Sequence, residues 1–468
     1  MLTVGNDIFL YIFSASLLVL CVLSLVKKRF LEFFFPAILF LPDYYGLEFS
    51  YFLPLLSVKR ILYLVLFIYV FVLYHKEIIP RIKSFKLNAA NIFIILYFLA
   101  RLVTNLHYVS VYGQAVKTIF VIFFEQALLL IAVMIIAPTK EECISVIKAI
   151  VFSSVLLFIH GLLESFTGLR PANSLWTVHR YMLNEYYVRA GLLRAAGTFG
   201  LPTYFGNFCV MMMPLILFLY EHFRKKIYLV IAALDIFACI HSGSRSSFLF
   251  ILVAAFACFL LHIKNSKRII EFIKNAVAIA LALVIIVLGL SLISQKYQHY
   301  YKSFGKSLLN VIGFDYNLDE EASEEVAQFG SNKNGTMSRA AQFSGITYVA
   351  EINPVWGLGS GAQTRGDIQY FYKGMWRHVY TYDVGYVEVF CDEGLWGWFG
   401  YLSLFVSLFI ILLSKRYTKK DSDLSRHLIV STVIYLLCLL SSSNMGYFLF
   451  TFVVLIFSSV KRKESVRL

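Results

Sequence analysis

Apolar runs of about 18 residues or more recur from one end of the chain to the other, and each is long enough to cross a hydrocarbon core of roughly 30 Å as a helix. Lipid offers no water to a backbone N–H or C=O, so such runs form helices rather than irregular spans. They lie near 8–26, 30–42, 53–74, 89–106, 114–137, 144–165, 203–221, 227–241, 246–263, 275–294, 384–413, 428–443 and 445–460. The pattern predicts an all-α polytopic membrane protein with about 12–13 transmembrane helices. Of the 468 residues 59% are hydrophobic and only 15% charged, with a mean hydropathy of +0.73, which excludes a water-soluble enzyme. The first run has no basic residue before it and is followed by Lys27–Arg29, the reverse of a secretion signal, so it reads as a helix.

Lysines and arginines in short connections mark the cytoplasmic side. They cluster at 27–29, 76–86, 224–226, 264–268, 415–420 and 461–463. Threading the helices through these clusters puts the C-terminus inside and segments 166–202, 242–246 and 295–383 outside. Lys59 and Arg60 fit that threading poorly. The net charge of +14 is explained by anchoring beside anionic lipid in the bilayer and calls for no nucleic acid. Seven cysteines lie in or beside apolar runs without Cys-x-x-Cys spacing, so they read as small core residues; no metal and no cofactor is expected from them.

The chain divides at this level into a bundle over 1–294 with an external loop at 166–202, a large external loop at 295–383, and C-terminal helices at 384–468. The first loop holds Arg170, Arg180, Arg189 and Arg194 and no lysine. A guanidinium grips phosphate oxygens bidentately and keeps its charge where water is scarce, and the alternative role is snorkelling to headgroups. The second opens with Tyr297, Tyr300, Tyr301, Phe304 and Leu308 at helical spacing, which suggests a helix in the membrane interface. An acidic run at 315–325 lacks calcium-loop spacing and reads as a solvated face. "GLGSG" at 357–361 reads as a tight turn that offers backbone N–H groups to an anion or sugar. Trp356, Trp376, Tyr380, Tyr382 and Tyr386 present flat faces suited to sugar rings or to a membrane belt. Between two apolar runs, "HSGSRSSFLF" at 241–250 sets Arg245 behind a Ser and Gly turn, where Ser244 can cap the next helix and the helix dipole adds to the arginine's charge.

"RAAGTFGLPTYFGNF" (194–208), "SGSRSSFL" (242–249), "SRAAQFSGITYVAEINPVWGLGSG" (338–361) and "YDVGYVEVFCDEGLWGWFGYL" (382–402) resemble, in order, the signatures of the bacterial O-antigen ligase and Wzy polymerase superfamily. The resemblance implies a GT-C-like helical fold in the bacterial inner membrane and metal-independent glycosyl transfer at its periplasmic face. It also implies an undecaprenyl-pyrophosphate-linked oligosaccharide as donor, with a chain-length regulator and a flippase of the same pathway as further partners. It maps Arg245 and Arg339 onto the arginines that serve the lipid pyrophosphate. Ligases of the family carry a histidine eleven positions before a Gly-x-x-G; here Gly394–Gly397 is that motif and Asp383 holds the histidine's place. The departure favours a Wzy-type polymerase for O-antigen or capsule over a ligase acting on lipid A core, although His378 lies only five residues earlier.

Asp383, His378 and Glu351 are accordingly the candidates for taking the acceptor hydroxyl's proton. Arg245 and Arg339 lead the pyrophosphate candidates, followed by Arg194, Arg365 and Arg377; Tyr382 and Trp376 are candidates for sugar contact. A flippase for the same lipid-linked sugars is the third reading. Arg101, Lys117 and Glu125, in or near apolar runs, favour it, while an ion pair between neighbouring helices explains them equally well.

Overall fold

A computed structural model of the chain describes residues 4–49, 54–85, 87–184, 187–261, 266–311, 339–372, 374–378, 382–413, 422–440, 442 and 446–459. The acidic run 315–325 and Tyr380 lie outside the described residues. Every apolar run holds a helix: α1 Val4–Val26, α2 Phe30–Phe40, α3 Val58–Lys83, α4 Ala89–Tyr108, α5 Gly113–Ile136, α6 Lys140–Thr167, α7 Pro202–Phe223, α8 Ile227–His241, α9 Arg245–Leu260 and α10 Ser266–Ile293. Beyond these come α11 Gln295–Val311, α12 Arg339–Gln342, α13 Ser344–Ile352, α14 Ala362–Arg365, α15 Gly385–Leu413, α16 Ser422–Cys438 and α17 Gly446–Ser459. Among the described residues, eight helices are long and apolar enough to span a bilayer, with α2, α8 and α9 as shorter apolar helices. Among the described residues, strands are confined to three two-stranded hairpins, β1–β2 (Gly46–Leu47 and Leu56–Ser57), β3–β4 (Val188–Arg189 and Leu192–Leu193) and β5–β6 (Gln369–Tyr372 and Met375–His378).

The chain groups into two discontinuous units, one of Met1–Leu18 with Lys148–Thr336 and the other of Val19–Ile147 with Met337–Leu468. In the first unit α7 is the core helix, buried along nearly its whole length. It opens with proline at its first position, where the missing N–H has no intrahelical partner to lose. α8 and α9 pack on it, and Gly206 lets Ser247 approach so closely that a Cβ there would stand 2.7 Å from the serine Oγ. α10 exposes its apolar surface along its length, as a lipid-facing helix does.

α11 is the helix predicted from the tyrosine spacing, with a different role. Tyr300 and Phe304 are buried against Ala190, Leu192 and Ile240, so the amphipathic face packs on the protein rather than on the interface. The periodicity showed an apolar stripe but not what covers it.

In the second unit α4 lies along α15. The Arg101 guanidinium sits between the rings of Tyr97 and Tyr401, 5.8 and 5.6 Å from their centroids, and its NH2 pairs with Glu393 Oε1 at 2.8 Å. Arg60 pairs with Glu125 at 2.7 Å and Lys59 with Asp43 at 2.6 Å. The ion-pair explanation of Arg101 and Glu125 therefore holds. The same pairing accounts for the poor fit of Lys59 and Arg60 to the cytoplasmic clusters, because their charges are neutralised by carboxylates within the fold. α15 is not continuous: Gly394 has φ 63° and ψ −151°, which breaks the helix.

Candidate functional site

The α8–α9 connection is three residues, 242–244, deep in the protein. His241, Ser242 and Ser244 are all buried, and Gly243 takes φ 63°, a left-handed turn open to a residue without a Cβ. Ser244 is the N-cap of α9: its Oγ accepts the Ser247 N–H at 3.4 Å, and the Ser247 hydroxyl donates to Asn207 Oδ1 on α7 at 2.9 Å. Arg245 is the first residue of α9, half-buried, with the helix N-terminus behind it.

Two further arginines converge on this turn. Arg194 donates from Nε to Ser242 O at 2.8 Å, and its side chain lies so close over Gly243 that a Cβ there would stand 3.0 Å from Nε. Arg189 donates from NH1 to Gly243 O. Below, His241 is bonded through Nδ1 to Ser165 Oγ and through Nε2 to the Tyr301 hydroxyl, both at 2.9 Å. Tyr300 donates to Ile240 O at 2.7 Å. Burial holds the Tyr300 and Tyr301 phenols above the ordinary tyrosine range.

The loop that carries these arginines is fixed by Glu164 on α6. Its Oε1 accepts from Arg170 and its Oε2 from the N–H groups of Ala196 and Gly197 at 2.9 and 2.8 Å. Arg180 donates to the carbonyls of Trp176 and Ser174. Arg170 and Arg180 thus hold the loop together, whereas Arg189 and Arg194 reach the turn. Snorkelling was the expected alternative for some of the four, and internal clamps take its place for two. The sequence marked Arg189 only as one of the four loop arginines and gave no sign of Glu164 or Tyr301 as site residues, because what distinguishes them is the hairpin β3–β4 and the packing of α11.

Under the turn an apolar cavity of about 440 Å³ runs along α8 between Leu229 and Ile240, with Phe248 of α9, Tyr220 of α7 and Val287 of α10 among its walls. The helical rise gives it a length of about 16 Å. Three arginines thus surround the turn at one end of an apolar slot.

The remaining candidates belong to the second unit. Arg339 opens α12, and Gln342 at the end of that helix clamps Asp383: Gln342 Nε2 donates to Asp383 Oδ2 at 2.8 Å and the Asp383 N–H to Gln342 Oε1 at 3.0 Å. Asp383 is otherwise exposed at the entry to α15. The structure therefore brings the Arg339 helix and Asp383 together. His378 is exposed at the end of β6, with Nδ1 bonded to Gly366 O at 2.7 Å and Nε2 to the Gln369 amide at 3.2 Å. A carbonyl only accepts, so the proton sits on Nδ1, and Nε2 accepts from Gln369. Glu351 is exposed on α13.

Arg365 is engaged within its own loop. Nε pairs with Asp367 at 2.6 Å, NH1 and NH2 donate to the carbonyls of Ser360, Leu358 and Gly359, and the guanidinium lies 3.7 Å from the Tyr112 ring centroid. Arg377 and Trp376 are exposed on β6, Trp376 beside Phe371 and Tyr348. Tyr382 is 5% exposed and donates to Asp392 Oδ1 at 3.1 Å, and Tyr386 donates to Leu436 O at 2.8 Å, so both are internal ties.

The glycine turn 357–361 differs from its expected role. Leu358 and Gly359 donate their N–H groups to Cys391 O and Asp392 O, and Leu395 and Trp396 donate theirs to Pro354 O and Val355 O. The loop therefore fills the hydrogen-bonding gap left by the break at Gly394, and Gly361 N donates to Asp392 Oδ2 at 2.9 Å. Its amides serve the broken helix rather than an anion.

No curated protein matches the chain. Residues 227–402 match the family model for O-antigen ligase, a segment that starts at α8 and ends within α15, and so takes in the arginine-bearing turn, α12, Asp383 and the helix break. Over that segment, somewhat more than a third of the chain, the protein is similar to the O-antigen ligase and Wzy superfamily.

Proposed function

We propose that the protein is a Wzy-type polymerase that joins undecaprenyl-pyrophosphate-linked repeat units at the periplasmic face of the bacterial inner membrane. The family supports glycosyl transfer of the ligase or polymerase kind. The observation that carries the donor assignment is the cationic turn above a long apolar cavity. A polyprenyl pyrophosphate has this polarity: an isoprenoid tail that belongs in the slot and a diphosphate that belongs against fixed cations. Arg245, Arg189 and Arg194 hold the diphosphate, and Arg339 remains the fourth candidate. Leaving-group departure builds negative charge on the diphosphate, and preorganised guanidinium groups and a helix N-terminus stabilise it where water is scarce.

In the reaction an acceptor hydroxyl attacks the anomeric carbon, the bond from that carbon to the pyrophosphate oxygen breaks, and the hydroxyl proton passes to a base. Asp383 is the base. It is exposed, ionisable and held in one orientation by Gln342. His378 stands second, since its Nε2 lone pair is already occupied by Gln369. The polymerase reading is preferred to the ligase because an aspartate stands where ligases carry histidine. It is preferred to the flippase because the charges buried between helices, Arg101 with Glu393 and Arg60 with Glu125, are paired. In an elongation assay with lipid-linked repeat units, Asp383→Asn lowers the turnover rate by about 10²- to 10⁴-fold with little change in KM for the donor. Unchanged turnover would remove Asp383 from the chemistry.

A further inference from the structure

The second unit contains a cavity that the donor assignment does not use. It measures about 220 Å³ and is lined by Arg101, Gln114, Gln363, Glu388, Asp392 and Glu393, with hydroxyls of Thr118, Ser360 and Thr364 around them. A cavity this polar among apolar helices is costly unless a polar occupant fills it. It also adjoins the break in α15, since Asp392 and Glu393 directly precede Gly394. Irregular backbone within a membrane helix is tolerated where it lines such a cavity, and discontinuous helices mark binding sites in membrane proteins.

Most of the lining groups are already committed. Glu393 is held by Arg101 and by Asn105 Nδ2 at 3.1 Å. Asp392 accepts from Tyr382 on Oδ1 and from Gly361 N on Oδ2. Thr118 and Thr364 donate to the carbonyls of Gln114 and Gly361, and Ser360 donates to Asn105 Oδ1. Gln363 differs from them: its Oε1 is buried and accepts no hydrogen bond among the described residues. It shares the cavity with Glu388 and Gln114. A carboxylate that accepts from hydroxyls, beside amides that both accept and donate, matches a polyhydroxylated ring. The volume is below the roughly 300–1,000 Å³ of drug-sized pockets and several times the ~30 Å³ share of one water, which suits a single pyranose.

We propose that this cavity is a carbohydrate subsite that takes one sugar ring of the glycan, with Glu388 and Gln363 reading its hydroxyls. The identity of the ligand rests on the glycosyl-transfer reading above. The test uses the full chain in nanodiscs and saturation-transfer NMR with a panel of free neutral, 6-deoxy and N-acetylamino pyranoses. At least one of them gives a saturable signal in the wild type. Glu388→Gln and Gln363→Leu weaken it about tenfold or more, while Arg245→Ala leaves it unchanged. Because Gln363 Oε1 makes no internal hydrogen bond, Gln363→Leu keeps the wild-type melting midpoint and remains informative should Glu388→Gln fail to fold. No saturable signal from any sugar, equal signals in wild type and Gln363→Leu, or displacement of the sugar by sodium or potassium ions at fixed ionic strength would overturn the subsite. A protein that binds sugar here yet forms no glycosidic bond from lipid-linked units overturns the glycosyl-transfer reading and leaves the subsite standing.

Discussion

Arg245, Arg189 and Arg194 have the same side chain and different supports. Arg245 stands at a helix N-terminus, while the other two reach the turn from the hairpin and tie its carbonyls at Gly243 and Ser242. Arg245→Ala is expected to lower elongation by about 10²- to 10³-fold with the protein still folded, as loss of one fixed charge-stabilising donor does. Arg245→Lys restores only part of the rate, because an ammonium is a point charge and lacks the planar fork. Rates measured at matched levels of folded protein check both, and wild-type elongation in Arg245→Ala would refute the donor assignment. At this scale the sequence was informative about residue type and silent about engagement. Arginine without lysine in 166–202 pointed to specific contacts, yet Arg170 and Arg180 proved to be clamps and Arg365 a loop tie. A guanidinium donates equally well to a phosphate or to a backbone carbonyl, and only the folded loop decides which is near.

Elements were legible wherever hydropathy alone determines them. The run at 227–241 became α8 over the same residues, and 384–413 became α15 to within one residue. Hydropathy carries no information about backbone conformation, so the break at Gly394 inside an unbroken apolar run could not be read. Nor could the sequence show that the glycine turn at 357–361 lies against it. Both glycines at the contact are required: a Cβ on Gly394 would stand 2.5 Å from Gly357 N, and one on Gly357 would stand 2.7 Å from Gly394 N. Gly394→Ala combines that clash with a φ near 63°, and a loss of about 4 kcal/mol or more is expected. Thermal unfolding in detergent measures it; a midpoint within two or three degrees of wild type, roughly the shift of 1 kcal/mol in a large domain, would show that the break is not held as described.

For the whole molecule the linear order is a poor guide to grouping. The two units are assembled from non-adjacent stretches, so residues 295–311 group with the first and 339–372 with the second. Contacts between segments far apart in the chain leave no mark on composition or periodicity. The family resemblance was legible at this scale through the order of several short motifs, and the family match over 227–402 bears it out. The polymerase assignment rests on the single exchange of histidine for Asp383. The measurement that tests it most directly supplies purified protein with undecaprenyl-pyrophosphate-linked repeat units and lipid A core together, and resolves the products by size and by lipid anchor. The account predicts a ladder of longer chains on undecaprenyl pyrophosphate that disappears in Arg245→Ala. Single transfer onto lipid A core without any ladder, or movement of lipid-linked sugar across the bilayer with no new glycosidic bond, would contradict it.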